Sequence, residues 1–261
     1  MFYWIYDVPT LPLALLFSAV AVGFTWAGVL LTRSRVRRWL GPQPGHNDIV
    51  GIALSAYGVF YGIMVGLIAV GTYENFSQVE GNVGREASCL NSLYRDVSGY
   101  PEPVRTELKA RVRDYVRHIV DDAWPEQRRG LIPTGGTPKA NAIQEKLLAF
   151  EPATKGQEIL HAETLGKYGE MGEMRRLRLQ SVTSGLPVEM WGVVVVGALL
   201  NIVLTWMLSL EKLSVHLAVS GILALFVGLV LFLVAAMDNP FRGTISVSPE
   251  PFEMLLKSWS A

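Results

Sequence analysis

Residues 49–71 read IVGIALSAYGVFYGIMVGLIAVG, an apolar run that contains no charged side chain. About 20 such residues in an α-helix, at a rise of about 1.5 Å each, cross the roughly 30 Å hydrocarbon core of a bilayer. Gly58, Gly62 and Gly66 recur at every fourth position of this run, and Ser55 lies on nearly the same side. Rows of small residues at this spacing let a neighbouring helix backbone approach closely. The run is therefore predicted to be a transmembrane helix with one closely packed face.

The glycine row has two interpretations that the sequence leaves open. It packs either against another helix of the same chain or against copies of itself around a central axis. In the second arrangement the other faces of the helix would line a pore. The candidate pore-lining residues are Tyr57, Phe60, Tyr61 and Met64. Large apolar side chains at such a constriction would gate ion flow by excluding water.

Three further stretches are long and apolar enough to cross a bilayer. They are Leu11 to Leu31, Leu186 to Leu210 and Val215 to Met237, and none contains Lys or Arg. The first is expected to remain as a helix, because the ten residues before it lack the basic side chains of a signal peptide. Half of the 261 residues are hydrophobic and 18 % are charged, against about 25 % in an average soluble domain. The sequence therefore predicts an all-α, polytopic membrane protein with four transmembrane helices.

A polar domain is inserted between the second and third spans. Residues 72–185 hold 16 of the 23 Lys and Arg and 16 of the 23 Asp and Glu. From Phe76 to Val97, apolar positions alternate in steps of three and four, which is typical of a heptad-like helix that continues the second span. The predicted divisions are residues 1–71 (first two spans), 72–185 (extramembrane helical domain), 186–237 (last two spans) and 238–261 (a turn and an amphipathic helix).

Basic residues between the first two spans bear on orientation. They are Arg33, Arg35, Arg37 and Arg38. The positive-inside rule places residues 32–48 in the cytoplasm, with both termini and the inserted domain on the other side. The opposite orientation stays open, because the domain has one cysteine and so no disulfide framework that would require an oxidising compartment.

Charged residues near the spans would also form the vestibules of a pore. Around a central axis, Glu74 and Glu80 would make acidic rings, whereas Arg33 and Arg35 would make a basic one. The sequence does not tell which ring an ion would meet, so the selectivity stays open.

Polar side chains at membrane depth are few. Asn201 and Thr205 lie one turn apart on the third span, and an interhelical hydrogen bond is the expected role for this pair, with pore lining as the alternative. After the last span, the motif Asp238-Asn239-Pro240-Phe241-Arg242-Gly243 redirects the chain. We expect Asp238 to be a cap or turn residue rather than an ion ligand.

Features of enzymes are not evident in the sequence. The four histidines lack metal-ligand spacing, and Cys89 stands alone in the heptad core. No phosphate-binding glycine loop, nucleophile elbow or HExxH motif occurs. The sequence therefore predicts no catalytic residue, no metal site, no cofactor and no nucleic-acid partner.

Several motifs together resemble the bestrophin-like domain family. They are Tyr73-Glu74-Asn75-Phe76, Arg85-Glu86-Ala87, Asp238-Asn239-Pro240-Phe241-Arg242-Gly243 and Ser248-Pro249-Glu250-Pro251-Phe252. The resemblance covers nearly the whole chain. It implies four membrane helices, a helical domain between the second and third, and a relation to bestrophins, which are oligomeric anion channels with a central pore and a cytoplasmic domain.

Two functions from different classes follow as hypotheses. The first is an oligomeric ion channel of the plasma membrane, anion-conducting if the resemblance holds, whose second span lines the pore and whose partners are lipid, ions and copies of itself. The second is a membrane-anchored sensory or interaction module that recruits a partner through the exposed face at Arg105, Lys109 and Arg113. A transporter is less favoured, because no pair of Gly/Pro-broken spans in matching halves indicates an inverted repeat.

Overall fold

The computed structural model describes residues 3–40 and 45–260, and within these ranges the secondary structure is helical without β-strands. The α-helices are α1 (Thr10–Leu40), α2 (His46–Asp96), α3 (Val104–His118), α4 (Trp124–Arg128), α5 (Gly136–Leu148), α6 (Lys155–Gln180), α7 (Val188–Trp206), α8 (Leu213–Met237) and α9 (Glu250–Ser258). Four of them, α1, α2, α7 and α8, are long and apolar enough to cross a membrane. The predicted fold class is confirmed.

Two helices are longer than their apolar runs. The helix α2 continues for 51 residues without a break, as the heptad-like pattern after the second span predicts. The helix α1 continues to Leu40, so the four arginines that the sequence analysis placed in a connection lie on its last turns. That placement was wrong because Arg and Trp have good or moderate helix propensities, and no glycine or proline stops the helix before residue 41.

The chain folds into two compact units. The membrane unit comprises the residues up to Glu74, together with Gly185–Asp238 and Gly243–Ile245. The polar unit comprises Asn75–Ser184, Asn239–Arg242 and the residues from Ser246 onwards. The tail that the sequence analysis set apart thus divides between the two units, most of it joining the polar one.

Small residues let α1 approach α8 closely in the membrane unit. A β-carbon on Gly228 would lie 2.8 Å from the Ser18 Cα, so the two backbones touch there. Trp26 on α1 donates its indole N–H to the Leu217 carbonyl of α8 at 2.9 Å. Trp206 on α7 donates to the Thr25 carbonyl of α1 at 3.1 Å. These contacts hold α1, α7 and α8 together.

The polar unit has a hydrophobic core that the tail completes. Its members on α2 and α3 include Val83, Leu90, Leu108 and Tyr115, all almost fully buried. Phe252 of α9 is fully buried in the same core. The predicted amphipathic helix therefore lies against the polar unit, where the burial of apolar area stabilises it.

Ion pairing occurs inside this core. The Arg178 guanidinium and the Glu86 carboxylate are 2 % and 0 % exposed, and their closest atoms, Nε and Oε2, are 2.6 Å apart. Arg178 also donates to Gln127 Oε1 at 2.9 Å, and the Tyr115 hydroxyl donates to Glu86 at 3.3 Å. Burial lowers the pKa of Arg178, but Glu86 and Tyr115 together outweigh burial, so the net pKa is raised. The pair joins α2 to α6.

Candidate pore helix

Two tyrosines hold the side of α2 that packs against its own chain. The Tyr57 hydroxyl donates to the Gly197 carbonyl of α7 at 2.8 Å, and the Tyr61 hydroxyl donates to the Val194 carbonyl at 3.0 Å. Their rings are stacked with centroids 6.0 Å apart. Val65 on the same side is 2 % exposed. Two of the four candidate pore residues, Tyr57 and Tyr61, thus face their own chain and fix α2 to α7.

Glycine at position 197 makes this contact possible. A β-carbon there would lie 2.3 Å from Tyr61 Cε2 and 3.2 Å from the Tyr57 hydroxyl oxygen. The sequence analysis passed over this residue, because a single glycine in an apolar span has no periodic signal. Only the position of the Tyr61 ring shows why the site is restricted to glycine.

Gly197→Ala is expected to lower the free energy of unfolding by roughly 1–3 kcal/mol, because the added methyl forces the Tyr61 ring off α7. Gly192→Ala on the same helix is the matched control, since a β-carbon there meets nothing within 4 Å. The control should be neutral or stabilising. Thermal unfolding of the purified variants in detergent measures the difference, and equal transition temperatures for both would contradict this packing.

The glycine row of α2 is open in the single chain. A β-carbon on Gly58, Gly62 or Gly66 would meet nothing within 4 Å, and Ser55 is exposed. Packing of this row against another helix of the same chain, one of its two interpretations, therefore does not occur among the described residues. The other interpretation, packing against a second copy, stays a prediction.

A second exposed row, of large apolar residues, lies on a different face of α2. Phe60, Ile63 and Leu67, at i, i+3 and i+7 spacing, are 75 %, 58 % and 69 % exposed. Met64 is half-buried against the cluster of α2, α7 and α8 that contains Val65. Phe60 is therefore the outward-facing member of the four candidates. The sequence analysis missed Ile63 and Leu67, although their helical spacing from Phe60 was available.

The charged vestibule candidates divide into exposed and engaged side chains. Glu74 and Glu80 are exposed on α2, and Arg35 is exposed on α1. Arg33 is different, because its guanidinium donates to the carbonyls of Leu210 at 3.1 Å and Glu211 at 2.7 Å. These carbonyls follow the C-terminus of α7, where a cation is favourable. Arg33 thus caps the connection between α7 and α8.

The side chains of the polar pair on α7 make no interhelical hydrogen bond among the described residues. The Thr205 hydroxyl donates to the Ile202 carbonyl of its own helix at 2.6 Å. The interhelical hydrogen bond comes instead from His216 on α8, whose Nε2 donates to the Thr205 carbonyl at 3.0 Å. Asn201 is half-buried. His216 is fully buried, and its place one turn into an apolar span was the signal that could have identified it.

The closing motif contributes to both units. In the membrane unit, the Asp238 carboxylate accepts hydrogen bonds from the Leu186 backbone N–H and from the Trp191 indole, so it caps the start of α7. Gly243 has φ of +82°, a left-handed conformation that favours glycine.

Two other residues of the motif belong to the polar unit. Phe241 is buried against the Trp124 ring, with the centroids 5.5 Å apart. The Pro240 carbonyl accepts from the Val247 N–H at 2.8 Å. The contacts of the motif thus fix the chain where it leaves α8.

The surface considered for partner recruitment is largely engaged by the chain itself. Arg105 pairs with Glu102 at 2.8 Å. Arg113 donates to the Tyr94 hydroxyl and to the Trp259 carbonyl, and Lys109 lies 5.0 Å from the centre of the Tyr94 ring. In the described ranges, no group of three or more His, Cys, Asp or Glu side chains is placed to hold a metal ion.

A model of the Bestrophin-like domain family matches residues 15–252. The chain is similar to a crystal structure of a bacterial bestrophin homologue from Klebsiella pneumoniae with a point mutation, at 12 % identity and a TM-score of 0.67, covering 92 % of this chain and 96 % of that one. A second mutant form of the homologue gives 10 % identity and a TM-score of 0.68, with coverages of 95 % and 99 %.

The homologue solved by zinc phasing gives 11 % identity and a TM-score of 0.64, with coverages of 91 % and 95 %. At these identities the likeness shows a shared fold. No curated protein matches the sequence.

Proposed function

Since this chain belongs to the bestrophin-like domain family, we propose that it is one subunit of an oligomeric ion channel whose α2 helices surround the pore. The observation that carries the proposal is the outward surface of α2. In a single chain this helix leaves two rows uncovered, one of small residues and one of large apolar residues. A closed ring of copies gives each row a partner.

The two rows would have different roles in such a ring. Gly58, Gly62 and Gly66 allow the α2 helix of a neighbouring copy to approach at short distance. Phe60, Ile63 and Leu67 lie on a different face of the helix and would then face the axis. Three apolar rings at successive turns make a constriction from which water is readily excluded, so a small widening would switch conduction on.

The tyrosines support this arrangement from behind. Because Tyr57 and Tyr61 bind carbonyls of α7, the helix is fixed in rotation about its own axis. Fixed rotation determines which side chains reach the pore. Of the four candidates taken from the sequence, the proposal retains Phe60 as the main constriction residue, places Met64 at its margin and gives Tyr57 and Tyr61 a positioning role.

Charge and location complete the proposal. The pore-facing row itself carries no charge, and the charged rings that follow it on the same helix are those of Glu74 and Glu80. We propose a multi-pass protein of the plasma membrane, with anions as the conducted species, on the ground of the family's relation to bestrophins. The channel is proposed to act without a catalytic step.

Ion flux from purified protein in liposomes tests the function. Separate chloride and potassium gradients are imposed, and empty liposomes serve as the control. Flux of chloride alone supports an anion channel, and flux of potassium alone would support a channel but overturn the selectivity. No flux under either gradient, from protein shown to be folded and oligomeric, would contradict the proposal and favour an interaction module.

A further inference from the structure

The charges of the membrane unit are separated between its two ends. All five of its basic residues lie where α1 and α7 end and α2 and α8 begin: Arg33, Arg35, Arg37, Arg38 and Lys212. Only Asp48 and Glu211 provide negative charge there. At the other end the unit carries four acidic residues, Asp7, Glu74, Glu189 and Asp238, and no basic one.

Two of the arginines are held in place without losing their charge. Arg33 and Arg37 both donate to the carbonyls of Leu210 and Glu211, at distances of 2.7 to 3.1 Å. A carbonyl is a neutral acceptor, so these bonds fix the guanidinium groups but do not neutralise them. Among the described residues, no carboxylate forms an ion pair with any of the four arginines.

The other two arginines project from the end of α1. Arg35 and Arg38 are exposed, and the neighbouring Trp39 is 91 % exposed. Directly before them on the helix, Leu30 and Leu31 present 58 % and 70 % of their surface outward, as lipid-facing residues do. Trp prefers the headgroup layer of a bilayer, so this turn of α1 lies at the depth of the lipid phosphates.

We propose that this basic end of the membrane unit is a binding surface for the headgroups of anionic lipids. Clustered arginines immediately beyond a membrane span attract anionic headgroups, and a guanidinium matches two phosphate oxygens with parallel N–H donors. Arg33 and Arg37, held by the carbonyls, supply a preorganised positive field. The long, exposed side chains of Arg35 and Arg38 reach the phosphates. The inference is independent of conduction, because it concerns the lipid-facing end of α1 rather than α2.

An ordinary topological role predicts a different result. If the arginines served only to orient the chain during insertion, the folded protein would bind anionic and zwitterionic lipids equally well. A measured preference for phosphatidylglycerol over phosphatidylcholine therefore distinguishes a lipid-binding role from a purely topological one.

The test uses the full-length protein, purified in detergent as the assembly it forms and titrated with each lipid, with bound lipids counted by native mass spectrometry. Wild type is expected to prefer phosphatidylglycerol. Each arginine lost should weaken this preference about five-fold. The preference of R35Q/R38Q for phosphatidylglycerol should therefore be roughly 25-fold weaker than that of wild type. R35K/R38K keeps the charge and should retain most of the preference.

A charge-matched control lies in the polar unit. Arg111 and Arg117 are exposed on α3, and R111Q/R117Q removes the same charge there. This variant should bind like wild type. Equal losses in R35Q/R38Q and R111Q/R117Q, or no preference in wild type, would overturn the proposal. Displacement of phosphatidylglycerol by millimolar inorganic phosphate would also overturn it, since the surface would then be a site for free anions.

Discussion

Replacing Arg178 by methionine is expected to lower the free energy of unfolding of the polar unit by about 3–5 kcal/mol. The change leaves the Glu86 carboxylate, which is 0 % exposed, without its bidentate partner. A buried charge that loses its partner is strongly destabilising, because neither water nor another cation replaces the lost interactions. Of the described residues, only the Tyr115 hydroxyl would remain as a side-chain donor to it.

The pair itself contributes less than this loss suggests, because desolvation offsets most of the attraction. The double variant Glu86→Leu/Arg178→Met removes both charges and should therefore recover a large part of the loss. Denaturant unfolding in detergent, followed by tryptophan fluorescence, measures both variants. A double variant as unstable as Arg178→Met would show that the loss comes from packing rather than from the unpaired charge.

The variant Gly62→Leu is expected to dissociate the assembly. Its side chain would enter the space through which a second α2 approaches, and overpacking of this kind costs roughly 1–3 kcal/mol at each interface. The association constant of each interface then falls by roughly five-fold to 150-fold. Because nothing in the single chain lies within 4 Å of this position, the fold of the monomer should be unaffected.

Gly192→Leu provides the control for this prediction. Gly192 on α7 is also open in the single chain, but its neighbours four positions away are Val188 and Val196, so it belongs to no row of small residues. Light scattering combined with size-exclusion chromatography gives the mass of each variant in detergent. Wild-type mass for Gly62→Leu would mean that the glycine row is not the interface between copies.

The parts of this architecture that sequence could predict are those with a local period. Apolar runs of bilayer length gave the four spans, and the row of Gly58, Gly62 and Gly66 identified α2 as the helix with an unusual face. The heptad-like pattern after it predicted the continuation of the helix. In each case the signal lies within one element, so no knowledge of the partner is needed.

The parts that sequence could not predict depend on distant partners. Tyr57 and Tyr61 have the size and polarity of pore-lining residues, and their role became clear only from carbonyls 140 and 133 residues away. Glu86 and Arg178, which are 92 residues apart, likewise show no common pattern in the sequence. From the sequence Arg33 is indistinguishable from a free vestibule charge, because the carbonyls that bind it lie in the distant α7–α8 connection.

The most direct test of the pore assignment is chemical modification of α2 during ion flux. Phe60→Cys, in a Cys89→Ser background, is reconstituted in liposomes and treated with a charged thiol reagent. Ile222→Cys on α8, a position 68 % exposed on a different helix, is the control. We predict that modification changes the flux through Phe60→Cys and leaves Ile222→Cys unaffected. Unchanged flux through Phe60→Cys, with labelling confirmed by mass spectrometry, would contradict the claim that α2 lines the pore.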